Sequence, residues 1–243
     1  MKRIEIIFDL TSRCMQDELM CKGCKNGLVI GDEMTTETIK EFLKTSIDEL
    51  GINTVHIGGG EPLQHPDILQ ILDFLWQRNI STYLYTRGVL FDPNDGEYYP
   101  ILHPLAVVFQ KYGDVDKKRD RWGDSTGYKF GVMFRPCGFP EIVEQSIRNC
   151  IDHGVAICLI NNQRNSSIIE ELNRVFENRK VQAFMMLTPH EDREVTGYIS
   201  EWPFLVKSNG DVIRCESHGV KNKIGNVKIK RLNTILLEDS DND

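Results

Sequence analysis

Between Ile4 and Gly88 the chain alternates short β-rich runs with amphipathic helices, and this alternation constrains the fold more than any other feature. Ile4 to Leu10 reads as a strand. Thr35 or Thr36 then caps a helix whose Ile39, Phe42, Leu43, Ile47 and Leu50 recur at helical spacing, with Gly51 placed to end it. Asn53 to Ile57 reads as a second strand, Pro66 to Asn79 as a helix with Ile68, Ile71, Leu72 and Leu75 on one face, and STYLYTRG, residues 81 to 88, as a third strand. Strands and helices at this spacing predict an α/β fold with a parallel sheet, open or curled into a barrel. Leu105 to Gln110, Lys129 to Phe134, Val155 to Ile160 and Val181 to Leu187 supply further strands, and Glu141 to His153 and Ser166 to Asn178 further helices. From Trp202 the pattern changes. FLVKSNGDVIRC predicts a β-hairpin turning at Asn209-Gly210, HGVKNKIGNVKI a loop and short strand, and EDSDND a frayed acidic tail.

The 243 residues suffice for one large α/β domain or two small ones. A net charge of −7 argues against a broad nucleic-acid-binding surface. The basic run KKRDRW at 117 to 122 reads as a solvated loop, since Asp116 and Asp120 interleave with it. No apolar run approaches the roughly 20 residues that span a bilayer. MKRIEIIFDL reads as a first strand and not a signal peptide, so no membrane partner is expected and the chain is placed in the cytoplasm. Cysteines number seven, an odd count that disfavours a disulfide framework in a reducing compartment.

Three of those cysteines, Cys14, Cys21 and Cys24, lie in CMQDELMCKGC directly after the first strand, and GGGEPLQHP follows the second. Ligands bind outside the carboxyl ends of parallel strands, so neighbouring strands bring these two segments together at one end of the sheet. Three thiolates are an incomplete set: structural zinc and most iron–sulfur clusters take four protein ligands. A zinc site completed by His56 or His65 is one reading, and a cluster with an open iron is another. The glycines allow close backbone approach to a small molecule, and Glu61 offers an anionic acceptor for a cationic amine. Without the lysine of a nucleotide-binding loop, GGGEP is otherwise a tight turn.

The cysteine segment followed by GGGEPLQHPDI resembles the radical S-adenosylmethionine enzymes. The resemblance implies a partial (β/α)6 TIM-like barrel, a [4Fe-4S] cluster on Cys14, Cys21 and Cys24, and S-adenosyl-L-methionine contacted by Gly59, Gly60, Glu61 and Pro62. YTRG stands where the family has a Thr-Asn-Gly-like turn, which puts Thr86 among the cofactor-contacting residues. Arg135 and Asn161, near predicted strand ends, reach the cofactor's carboxylate or ribose or serve the fold alone. Two features depart from the family pattern. Six residues, not three, separate the first two cysteines, and Gly23 replaces a bulky residue. The longer arc costs little, since each doubling of a loop costs roughly 0.6 kcal/mol.

Residues 201 to 243 resemble a truncated SPASM or twitch extension behind a radical domain at 1 to 200, with Cys215 its one cysteine. Cys150 and Cys158 read as core residues, Cys137 as a loop residue, and Cys215 as a substrate-side thiol or a structural remnant. His218 lines the substrate cavity or an exposed loop. The hairpin is expected to close over the barrel mouth. The implied activity is reductive cleavage of S-adenosylmethionine to a radical that takes hydrogen from a substrate, a small molecule or, favoured by the tail, a peptide or protein side chain. An electron donor such as a flavodoxin or ferredoxin is implied as partner. A zinc or iron–sulfur regulatory protein and a glycyl-radical activase are the alternatives.

Overall fold

The computed structural model describes residues 5–13, 33–92, 97–100, 130–134, 140–152, 156–159, 204–215 and 221–240. Its elements are β1 (Glu5–Thr11), α1 (Thr36–Leu50), β2 (Thr54–Gly59), a 3-10 turn (Pro62–Gln64), α2 (Ile68–Gln77) and β3 (Ser81–Thr86). They continue with β4 (Val89–Asp92), β5 (Glu97–Pro100), β6 (Phe130–Phe134), α3 (Pro140–Asp152), β7 (Ala156–Leu159), β8 (Phe204–Val206), β9 (Asp211–Cys215), β10 (Lys221–Asn226) and α4 (Leu232–Ser240). Eight strands form one sheet in the order β10-β9-β8-β1-β2-β3-β6-β7, and β4 pairs with β5 alone.

From β1 to β7 the strands are parallel and follow one another in chain order. That is the wall of a βα-wound fold, as the alternating pattern predicts. Alternation along each strand decides its two faces. Ile6, Phe8 and Leu10 of β1, Val55 and Ile57 of β2, Leu84 of β3 and Val132 of β6 enter the core with Ile39, Phe42 and Leu43 of α1 and Ile71, Leu72 and Leu75 of α2. Trp76 packs at the core's edge. The opposite face is mixed, with buried Ile7 and Leu205 beside polar side chains. There His56 stacks on Tyr83 and bonds through Nε2 to Glu5 Oε2 at 2.6 Å and through Nδ1 to the Tyr85 hydroxyl at 2.9 Å.

Thr35 caps α1 by accepting from Thr38 N, and the Gly51 N–H closes it on Ile47 O. α2 begins later than its sequence pattern predicts, because Pro62–Gln64 forms its own 3-10 turn and Asp67 opens the helix. Asp67 instead receives the Thr36 hydroxyl at 2.6 Å and so ties α1 to α2. Cys150 of α3 is fully buried, which raises its thiol pKa and bears out the core reading. Cys158 lies on β7 and Cys215 at the end of β9.

The C-terminal segment differs most from expectation. β8 joins the main sheet parallel to β1, pairing Ile7 with Leu205 and Phe8 with Val206, and β9 and β10 extend it antiparallel. One sheet therefore crosses the boundary that the sequence pattern set near residue 200. Val206 and Val212 bury into the same core as β1. The hairpin turns where expected, but only Gly210 takes positive φ; Asn209 does not. The Gly210 N–H bonds to Lys207 O and the Lys207 N–H to Asp211 O, a turn followed by a left-handed glycine and not a two-residue Asn-Gly turn. Part of the expected frayed tail is the helix α4, anchored by buried Leu232 and Ile235. Its acidic residues are neutralised by Lys230 on Glu238 at 2.7 Å and Arg214 on Asp239 at 3.2 Å. β4 and β5 went unread, although Asp95-Gly96 between them is a hairpin signal. No helix among the described residues is long and apolar enough to cross a membrane.

Candidate functional site

At the carboxyl end of β1 and β2 the chain is stitched across the two strands. Gly60 N donates to Thr11 O and Glu61 N to Arg13 O, each at 2.8 Å. The approach is so close that a Cβ on Gly60 would lie 2.1 Å from Arg13 O, and one on Gly59 2.4 Å from Thr11 O. Gly59 also has φ +107, which L side chains rarely adopt. The glycines expected to admit a bound molecule thus admit the chain's own Thr11–Arg13 strand end, the segment that leads directly into Cys14. The strand end that leads into the cysteine segment and the glycine turn meet at one end of the sheet.

Glu61 locks this turn to the next one. Its Oε1 accepts from the Thr86 hydroxyl at 2.8 Å and from Leu63 N at 3.3 Å, and its Oε2 from Arg87 N at 3.0 Å. Burial outweighs these donors and raises its pKa to about 7. Thr86 Oγ1 accepts in turn from Gly88 N at 3.1 Å. Glu61 and Thr86, read from the sequence as cofactor contacts, therefore hold β2 and β3 together, with Pro62 buried beneath. Both are framing residues in the described structure.

A second carboxylate was not legible in the sequence. Glu33 follows the cysteine segment, yet its Oε1 accepts from the Thr11 hydroxyl at 2.6 Å, Ser12 N at 2.7 Å and the Ser12 hydroxyl at 3.0 Å. Its Oε2 lies 3.3 Å from Arg13 Nε. Burial would raise its pKa, but the Thr11 and Ser12 hydrogen bonds and the Arg13 charge hold it below the usual carboxylate value. His65, named as a possible zinc ligand, is buried beside this group; its Nδ1 accepts from Asp67 N, and burial keeps its pKa low despite the charges of Glu33 and Asp67. His56, the other candidate, has both ring nitrogens bonded.

The hairpin reaches the same place. Met34 N donates to Ser208 O at 2.8 Å, and Lys207 Nζ pairs with buried Asp9 at 2.8 Å. Its turn flanks the mouth of the sheet while its strands lie in the sheet plane. Cys14, Cys21, Cys24, Arg135, Cys137, Asn161 and His218 fall outside the described residues, as do the predicted strands at 105–110 and 181–187 and the basic run at 117–122.

The donor set suits a four-iron cluster better than closed zinc. The sequence carries three thiols between Arg13, bonded to the glycine turn, and Glu33, bonded to Thr11 and Ser12, while His56 has both ring nitrogens bonded and His65 accepts from Asp67 N through Nδ1. Cys14, Cys21 and Cys24 would hold such a cluster.

Comparison with known proteins agrees. Residues 9–110 match the family model described as Radical SAM superfamily. The chain is similar to PqqA peptide cyclase of Gluconobacter oxydans, 34% identical over 92 residues that cover 37% of this chain and 25% of that protein. It is similar to AdoMet-dependent heme synthase of Methanosarcina barkeri, 30% identical over 88 residues, 36% of this chain and 25% of that protein. It thus covers a quarter of these curated relatives. Among solved structures, anSMEcpe with bound AdoMet superposes with TM-score 0.59 at 13% identity, over 97% of this chain and 80% of that one. Streptococcus suis SuiB gives TM-score 0.52 at 13% identity, over 96% and 65% respectively. These two likenesses show that the chain shares the fold of those two proteins. The family match spans both the cysteine segment and the glycine turn, and it covers less than half of the chain.

Proposed function

We propose that the chain is a radical S-adenosylmethionine enzyme that modifies a peptide or protein side chain. The observation that carries this is the stitch of Gly60 and Glu61 to Thr11 and Arg13, which fixes the strand end leading into the three-cysteine segment beside the glycine turn. Held by Cys14, Cys21 and Cys24, a [4Fe-4S] cluster would supply one-electron chemistry for reductive cleavage of S-adenosylmethionine and hydrogen abstraction from the substrate. The chain's own task is to place three thiolates, leave one iron open and shape the wall around it. In this reading Gly59, Gly60 and Pro62 meet the cofactor through their backbone, Glu61 and Thr86 hold that backbone in shape, and Arg135 and Asn161 reach the carboxylate or ribose. An electron donor such as a flavodoxin or ferredoxin acts with it in the cytoplasm.

The peptide assignment is supported by the relatives named PqqA peptide cyclase, and by neighbours solved as SuiB bound to precursor peptide SuiA and anSMEcpe bound to Cp18Cys peptide. Residues 201–243 serve as a short extension whose hairpin borders the mouth.

Anaerobic reconstitution tests the proposal. About four irons and four sulfides per chain, with 5′-deoxyadenosine released from S-adenosylmethionine under strong reductant, is the expected result. Ala at Cys14, Cys21 or Cys24 abolishes it, while Ala at Cys137, Cys150, Cys158 or Cys215 retains the iron. One tight zinc and no iron contradicts it.

A further inference from the structure

Glu33 joins the two ends of the cysteine segment. Thr11, Ser12 and Arg13 precede Cys14, Glu33 lies nine residues after Cys24, and the four residues form one hydrogen-bonded knot. Thr11 Oγ1 stands at its centre: it donates to Glu33 and accepts from Arg13 N at 3.0 Å. The glycine turn holds one side through Thr11 O and Arg13 O, and the hairpin holds another through Ser208 O on Met34 N. This chain has three more residues than its family pattern between the first two cysteines, so its thiolates have more ways to miss a common centre. A fixed neck removes part of that freedom before any metal arrives.

We propose that Glu33 is a positioning residue for the cluster, a carboxylate clasp that closes the neck of the cysteine segment so that Cys14, Cys21 and Cys24 converge on one site. The clasp rests on the cluster assignment above. It acts through Thr11, Ser12 and Arg13 and touches neither iron nor substrate. Its chemistry is specific, because one oxygen takes three donors and the other faces the Arg13 guanidinium. Glutamine keeps the first and loses the second; alanine loses both.

The experiment compares wild type, Glu33→Gln, Glu33→Ala and the exposed control Glu37→Gln, each reconstituted anaerobically and challenged with an iron chelator. Glu33→Ala is expected to lose the cluster's visible absorbance about tenfold faster than wild type, within the range for residues that orient metal ligands, with Glu33→Gln between them and Glu37→Gln unchanged. At equal iron content the reduced cluster's paramagnetic resonance signal also changes shape in Glu33→Ala and recovers in Glu33→Gln. If Glu33→Ala does not fold, Thr11→Val, which deletes the central hydroxyl at constant volume, shows the same faster loss. A variant that loses iron at the wild-type rate with an unchanged signal overturns the clasp and leaves the enzyme reading standing. A wild type that takes up no iron overturns the enzyme reading itself.

Discussion

Replacing Gly60 by alanine should disrupt the site more than its size suggests. The new Cβ would lie 2.1 Å from Arg13 O, 2.7 Å from Arg13 C and 3.2 Å from Ser12 C, all backbone atoms. No side chain can rotate away, so the strand end must retreat by more than about 1 Å to reach van der Waals contact. That retreat breaks two hydrogen bonds, Gly60 N to Thr11 O and Glu61 N to Arg13 O. Each is worth about 1 kcal/mol net, and more where its groups stay buried without partners, so the loss is about 2–4 kcal/mol. A typical domain of about 5–15 kcal/mol survives this, but the Thr11–Arg13 strand end that leads into the cysteine segment comes away from the glycine turn. Gly210→Ala is the control. Its Cβ would meet Asn226 Oδ1 at 2.9 Å and the Lys228 side chain, which can move, and its positive φ costs about 1–2 kcal/mol without touching the Gly60 stitch to Thr11 and Arg13. Urea denaturation of the metal-free protein and iron content after reconstitution separate the two. Gly60→Ala should lose stability and iron together, and Gly210→Ala stability alone. A Gly60→Ala protein within about 0.5 kcal/mol of wild type and with full iron refutes the stitch.

Two further outcomes follow from buried charges. The Glu61 pKa is raised from 4.5 to about 7 on folding, so its stabilising contribution is complete below pH 4.5 and is lost as pH rises to about 7, by about 3 kcal/mol. The wild-type stability measured against Glu61→Gln should fall by that amount between pH 4.5 and 8, and a flat difference contradicts the buried carboxylate. Lys207→Met removes the lysine partner of the buried Asp9 carboxylate and should cost about 3–5 kcal/mol in denaturant unfolding, much of it recovered in the double variant with Asp9→Leu. Equal losses in the single and double variants would mean that the pair does not hold the hairpin to β1.

The parallel wall was legible because its helices and strands carry clean periodicity. Ile39, Phe42 and Leu43 in α1 and Ile71, Leu72 and Leu75 in α2 lie where their spacing placed them. The meeting of the strand end before Cys14 with the glycine turn followed from the rule that loops gather at the strands' carboxyl ends. The clasp was not legible, because Glu33 is one acidic residue before a helix and nothing local ties it to Thr11, 22 positions away. Glu61 was read by charge as a ligand contact, whereas its burial and its three donors depend on where β3 ends, which spacing alone does not reveal. α4 was hidden by its acidic end, whose partners Arg214 and Lys230 lie outside the helix.

The central claim is that three thiolates leave one iron of a cluster open to S-adenosylmethionine. Electron paramagnetic resonance of the reduced, reconstituted protein tests it directly, recorded with and without S-adenosylmethionine carrying a magnetic isotope in its carboxylate. The account predicts a shifted signal on addition and hyperfine coupling to the labelled carboxylate. A spectrum that S-adenosylmethionine leaves unchanged, with no coupling to the label, contradicts it.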